Sequence, residues 1–256
     1  MAMKLSYDGA FAIITLDRPD ALNALQFQML QAISDAVDEV AASNARALII
    51  VGAGPKAFCA GADIKELMNR SLMEQRKGAQ LGQQAFNKIA KLHIPSVAVI
   101  HGYAFGGGLE LAMGCTFRIA TARARMGLPE IKLGLIPGYG GTQRLPRLIG
   151  EARALEMVMS GKTVDATEAD RWGLVNRIVE GDDPLALGQQ FMSEFIGYSL
   201  PASQFAREAV VRGMETTVEE GLAVEADLST LAYQTQDAVE GMTAFMEKRK
   251  PEFKDA

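Results

Sequence analysis

Residues 96–116, SVAVIHGYAFGGGLELAMGCT, constrain the fold of this chain more than any other stretch. An apolar run over 97–100 leads to the glycine triplet Gly106, Gly107 and Gly108, and Glu110 follows just before Leu111, Ala112 and Met113. That order predicts a buried strand, a tight turn and the first turns of a helix, with Glu110 near the helix start. A helix start leaves backbone N–H groups without intrahelical partners and carries the positive end of the helix dipole. Glycines there let a ligand approach the backbone closely. An acid in the same turn is either a catalytic group or a charge that suits the dipole.

The rest of the chain alternates strand and helix patterns. Residues 11–16 (FAIITL) read as a strand that ends at the turn signal Asp17-Arg18-Pro19. Over 21–40, Leu25, Met29, Ile33, Val37 and Val40 recur at helical spacing. A short continuous apolar run at 48–51 predicts a strand covered on both faces. The glycine-rich segment GAGPKAFCAGADIKEL comes next, and a helical pattern over 73–92 ends at Ile94-Pro95. Beyond the opening stretch, 117–120 reads as a strand and 127–150 is dense in glycine and proline, with Glu130 its only acid. Residues 151–160 are helical, Asp165 and Glu168 form a capping-box pattern, 175–179 is a strand, and the pattern from Asp183 to the end is helical. This predicts an α/β core, 1–195, with an α-helical C-terminal subdomain, 196–256.

Several classes fall away. The formal net charge of −5 gives no general attraction to nucleic acid or to an anionic membrane. No run approaches the roughly 20 apolar residues of a spanning helix, and the N-terminus lacks a signal-peptide core. Two cysteines, Cys59 and Cys115, are too few for a disulfide framework and read as reduced, buried thiols of a cytoplasmic protein. Gly161-Lys162-Thr163 resembles the end of a phosphate-binding loop, but Glu156 stands where that motif needs glycine. The triplet at Gly106 lacks the spacing of a dinucleotide fingerprint. No His, Cys and carboxylate cluster has metal-ligand spacing, so no metal is expected. His93 and His101 sit beside apolar residues with no triad partner and read as structural.

Three places remain for chemistry. Ala60, Gly61, Ala62, Asp63, Ile64 and Lys65 put small residues before a helix start, where N–H groups are open to a ligand; Asp63 is equally a cap acid. Gly107 serves either a ligand or close packing of strand on helix. Glu110 and Glu130 both lie among apolar and glycine residues. Singly each suits a dipole or a hydrogen-bonded carboxylate; together in one desolvated cleft they can divide acid and base roles.

With those motifs read, the chain resembles the crotonase, or enoyl-CoA hydratase/isomerase, superfamily nearly end to end. The likeness rests on DRPDALNAL (17–25), KAFCAGADIKEL (56–67), PSVAVIHGYAFGGGLELAMGC (95–115), PEIKLGLIPGYGGTQRLPRLIG (129–150), GKTVDATEADRWGLVNRIV (161–179) and EKRKPEFK (247–254). The resemblance implies a spiral of ββα repeats with a helical C-terminal trimerisation segment, a homotrimer or a dimer of trimers, and a coenzyme A thioester substrate with no separate cofactor. It places oxyanion-hole N–H groups on Ala62 and Gly107 and substrate contacts on Ala60 to Lys65, with Lys65 near the CoA phosphates. Phe245 and Lys248 would reach a neighbouring subunit's CoA. Hydrating members carry both glutamates, here Glu110 and Glu130, so the implied activity is hydration of a 2,3-enoyl-CoA. Other implied reactions are dehydration of a specialised 3-hydroxyacyl-CoA, hydration of methylglutaconyl-CoA and double-bond isomerisation. A CoA- or RNA-binding member without catalysis is a further alternative. Thr116 and Asp20 depart from the common pattern, and the acyl pocket is expected to draw on 68–84.

Overall fold

In the computed structural model, residues 2–256 are described. The chain forms two compact units, a first ending at Met192 and a second spanning Ser193–Ala256.

The first unit begins with β1 (Met3–Asp8) and β2 (Phe11–Leu16), then α1 (Phe27–Ala41). Helix α1 starts later than its apolar spacing predicts. Pro19–Ala21 closes a 3-10 turn, and Leu22 and Asn23 adopt φ of 51° and 58°, which breaks the helix register. Asn23 is fully buried and turns this bend into an anchor. Its amide donates to the Ala53 and Ala57 carbonyls at 2.9 Å each, and its Oδ1 accepts from the Arg18 N–H at 2.9 Å.

Next come β3 (Ala47–Gly52), β4 (Ala57–Cys59), α2 (Ile64–Leu67) and α3 (Leu72–Lys91). The opening stretch forms β5 (Ser96–Ile100), β6 (Tyr103–Phe105) and α4 (Gly107–Gly114). After β7 (Phe117–Thr121) and β8 (Arg125–Gly127), a 3-10 turn spans Pro129–Leu133. The glycine- and proline-rich segment then forms α5 (Gly141–Ile149), with Pro146 inside it. The unit ends with α6 (Glu151–Ser160), β9 (Thr163–Asp165), α7 (Ala166–Trp172), β10 (Arg177–Val179) and α8 (Pro184–Met192).

Two sheets organise these elements. One has the order β1-β2-β3-β5-β7-β10 and is parallel from β2 onward, with β1 antiparallel at the edge. The other, β4-β6-β8-β9, is parallel over its first three strands. Every residue of β3 and β5 is buried, as their unbroken apolar runs predict for strands covered on both faces. Three times the chain lays a strand in the larger sheet, a second in the smaller, and then a helix or 3-10 turn. This is the ββα spiral. It repeats in geometry although no repeat is visible in the letters.

The sheet geometry also positions the site. Because β4, β6 and β8 are parallel neighbours, the segments that leave their C-terminal ends emerge along one edge. Those segments begin at Ala60, Gly106 and Leu128.

Some expectations need correction. Asp165 caps α7 by accepting from the Glu168 N–H at 2.8 Å, but Glu168 does not reach back; its carboxylate takes the Lys162 ammonium at 2.9 Å instead. Residues 1–10 gave no strand reading and contain β1. Thr116 serves the structure: it and Ser96 exchange hydrogen bonds, each backbone N–H on the other's hydroxyl, at 3.1 and 3.0 Å. Cys59 and Cys115 are free and buried.

In the second unit, α9 (Leu200–Gly213), α10 (Val218–Ala232) and α11 (Gln236–Glu247) are capped by Ser199, Thr217 and Thr235. The helical pattern does not run to the end of the chain. Lys248 takes φ of 57°, and the tail straps back along α11. Arg249 grips Glu240 with two nitrogens at 2.6 and 2.9 Å, and Asp237 accepts from the Lys254 and Asp255 N–H groups at 2.7 and 3.0 Å.

Candidate active site

A cavity of about 760 Å³ in the first unit is lined by Ala60, Gly61, Ala62, Ile64, Gly106, Gly107, Glu110, Pro129 and Glu130. Three segments far apart in sequence therefore meet, one from the end of each parallel strand.

The first segment is held by backbone pairing with 22–25. Ala60 N–H donates to the Leu22 carbonyl at 2.9 Å, Leu25 N–H to the Gly61 carbonyl at 2.8 Å, and Asp63 N–H to the Leu25 carbonyl at 2.8 Å. Leu25 thus bridges Ala62 in the parallel manner, bonding to its two neighbours. In that pattern Ala62's own N–H points away from Leu25, and Ala62 lines the cavity. Gly107 opens α4, so its N–H has no carbonyl one turn back to donate to. Gly106, just before it, needs its glycine twice over. Its φ is 50°, and an ideal Cβ there would stand 2.9 Å from Glu130 Oε1.

The two carboxylates differ in their partners. Glu110 is 1% exposed, and its Oε1 accepts from the Tyr139 N–H at 2.8 Å and the Gly141 N–H at 2.7 Å. Burial pushes its pKa up to about 7, the Gly141 N–H pulls it back, the charge of Glu130 raises it, and the Tyr139 N–H lowers it. Burial also raises the pKa of Glu130. Its Oε2 is buried with no hydrogen-bond partner. Two N–H donors favour the anion at Glu110, whereas at Glu130 burial outweighs its own backbone N–H and favours the neutral acid.

The remaining expected residues sort clearly. Asp63 is engaged structurally: it caps α2 through the Lys65 N–H and pairs with Arg18 at 3.0 Å. Ile64 lines the cavity, and Lys65 is exposed on α2. Phe245 is 82% exposed near the end of α11, and Lys248 caps that helix. His101 is buried with Nε2 on the Gly54 carbonyl at 2.9 Å, a structural role. Among the described residues, no three His, Cys, Asp or Glu gather as metal ligands would.

Of the expected acyl-pocket segment, Met68, Gln75, Gly78 and Ala79 line the cavity. Phe27, Leu133, Leu135, Ile136 and Tyr139 line it too and were not foreseen. Neither were the N–H donors of Tyr139 and Gly141. The only signal for them in the sequence was the glycine-rich GYGGT that surrounds them, since a backbone donor leaves no mark on residue type.

Known proteins resemble the whole chain. The family model described as enoyl-CoA hydratase/isomerase matches residues 7–256. A crotonyl-CoA hydratase of Syntrophomonas wolfei is 42% identical over 250 residues, covering 97% of this chain and 96% of its own. The short-chain-enoyl-CoA hydratase of Clostridium acetobutylicum is 39% identical, covering 97% of this chain and 95% of its own. The crystal structure of an enoyl-CoA hydratase from Bacillus anthracis superposes with a TM-score of 0.95 at 34% identity, over 100% of both chains.

Proposed function

Since the chain belongs to the enoyl-CoA hydratase/isomerase family, we propose that it adds water across a 2,3-trans-enoyl-CoA to give a 3-hydroxyacyl-CoA. One observation carries this reading: Glu110 and Glu130, 20 positions apart in the sequence, line one cavity together with Ala62 and Gly107. It is an enoyl-CoA hydratase, a hydro-lyase.

Hydration builds negative charge on the thioester oxygen as water attacks C3. The N–H groups of Ala62 and Gly107 would receive that oxygen, aided by the positive end of α4. Losing one such donor typically costs about 2.7–4 kcal/mol of transition-state stabilisation. Glu110, whose Oε1 accepts from two N–H donors, would in its ionised form take a proton from the attacking water. Glu130, whose Oε2 has no protein partner, would deliver a proton to C2 on the same face, a syn addition. One proton leaves the water and one reaches carbon, so water and the thioester suffice and no cofactor enters. Substrate contacts at Ala60 to Lys65, and at Phe245 and Lys248 across subunits, belong to the same proposal.

A homotrimer, or a dimer of trimers, is part of this reading. The second unit supports it by exposing Val210, Val211, Met214, Val218 and Leu222. No helix among the described residues is long and apolar enough to cross a membrane. A cytoplasmic location accords with the two free thiols.

The test is hydration of crotonyl-CoA by the wild type, Glu110→Gln and Glu130→Gln. Each acid–base role is worth roughly 10²–10⁴ in rate, so both variants should lose at least a hundredfold in kcat. Near wild-type rates in both would refute the two-glutamate mechanism.

A further inference from the structure

Tyr139, with Pro137, is a buried anchor of a loop whose preceding residues are exposed. Residues 131–136 are all exposed, whereas Tyr139 is 7% exposed. Its ring fills a slot between α3 and the start of α4. An ideal Cβ on Gly82 would stand 2.3 Å from Cδ1 and 2.6 Å from Cγ, and one on Gly107 would stand 3.0 Å from Cδ2. Phe86 closes the slot edge-on, with ring centroids 5.8 Å apart. The atoms nearest Gly82 lie at the base of the ring, so swinging the ring tip cannot make room for a methyl group.

Gly82 lies deep inside α3, where glycine costs roughly 1 kcal/mol against alanine. Its absent side chain is what admits the ring. The same Tyr139 places its backbone N–H 2.8 Å from Glu110 Oε1. Resting on the reading of the site above, we propose that Gly82 and Tyr139 are a positioning pair. The notch at Gly82 seats the Tyr139 ring, and the seated ring keeps the Tyr139 N–H on the Glu110 carboxylate. Gly82 lies outside the cavity lining and Tyr139 forms part of it, and in this proposal both act through Glu110.

The groups facing Glu110 give the expected direction of any change. Glu130 from the Pro129–Leu133 turn raises its pKa, and Arg144 from α5 lies within electrostatic reach and would favour the anion. The Tyr139 hydroxyl, whose own pKa burial pushes up to about 12, stays neutral, and Arg70, Glu66 and Cys59 lie within electrostatic reach of it. Of these groups, the Tyr139 N–H is the one carried by the residue whose ring the notch seats. Losing a donor to the anion raises the Glu110 pKa.

The test follows Glu110 by ¹³C NMR of glutamate-labelled protein, with Glu110→Gln assigning the signal, alongside the pH profile of crotonyl-CoA hydration. Gly82→Ala and Tyr139→Ala should each raise the Glu110 midpoint by about one pH unit. Each should also lower kcat/KM at neutral pH by roughly tenfold. Tyr139→Phe, which keeps the ring, should keep the midpoint. The double variant Gly82→Ala/Tyr139→Ala should match Tyr139→Ala alone, because the notch matters only to a ring. An equal shift from Gly82→Ala in both backgrounds would overturn the proposal, as would an unmoved midpoint in both single variants. Should Gly82→Ala fail to fold, Tyr139→Ala against Tyr139→Phe decides, and equal midpoints reject the pair. A wild type that hydrates nothing would remove the functional reading, while the NMR titration would still judge this one.

Discussion

The Glu130 carboxylate occupies the space a side chain on Gly106 would need, with Oε1 only 2.9 Å from an ideal Cβ at that position. Contact that close joins the proposed proton donor to the turn that opens α4. The turn cannot change without moving the acid.

Gly106→Ala should therefore fall in both activity and stability. Its φ of 50° strains any Cβ, and the methyl group displaces Glu130. We expect a loss of about 10²-fold or more in kcat, the value of a misplaced general acid. Steady-state hydration of crotonyl-CoA, paired with a thermal melt, separates the two effects. A variant with wild-type kcat would show that Glu130 does not need this seat.

The pH dependence of kcat/KM should be bell-shaped. Its acid limb falls near pH 7, where Glu110 takes up a proton and ceases to be a base. Its alkaline limb reports loss of the Glu130 proton, which burial holds above the ordinary carboxylate range. The two limbs belong to the coupled pair. An acid limb below pH 5 would contradict the buried base.

Burial of Glu110 also makes stability depend on pH with a definite sign. Its pKa is raised from 4.5 in the unfolded chain to about 7, so between those values the folded state binds more protons than the unfolded. Stability falls as pH rises across that window, and the penalty persists above it. Glu110→Gln removes the penalty yet keeps an acceptor for the two N–H groups. It should be more stable than wild type at pH 8 by on the order of 2–3 kcal/mol, and nearly equal to it below about pH 4. Urea unfolding at both pH values is the measurement.

Asn23→Ala tests the anchor beneath the oxyanion segment. Asn23 is fully buried with three hydrogen bonds, and truncation leaves the Ala53 and Ala57 carbonyls and the Arg18 N–H unpaired. A loss of about 2–4 kcal/mol is expected from chemical denaturation. Because Leu22 and Leu25 brace Ala60 to Asp63, kcat should fall as well. A destabilised variant with unchanged kcat would separate the anchor from the site.

How far the sequence reached can be judged residue by residue. The runs at 48–51 and 97–100 announced doubly covered strands because nothing polar interrupts them, and both are buried throughout. The glycine triplet announced a turn and a helix start because few other residues tolerate that backbone. Where local preference was overruled, a side-chain contact did it: Asn23, held on the Ala53 and Ala57 carbonyls, delays α1, Lys162 takes the glutamate of the capping pattern, and Glu240 holds Arg249 and straps the tail.

The chain's own letters determined the strand–helix alternation, the turn at Gly106 and the presence of two acids among apolar neighbours, all of which follow from local backbone preference and side-chain polarity. Only the tertiary structure decided that Ala62, Gly107, Glu110 and Glu130 share a cavity, because parallel pairing of β4, β6 and β8 is what brings their ends to one edge. It decided too which acid holds two backbone donors and which keeps an oxygen free, since backbone N–H groups are the same in every residue but proline and acquire a role only by where the chain folds them.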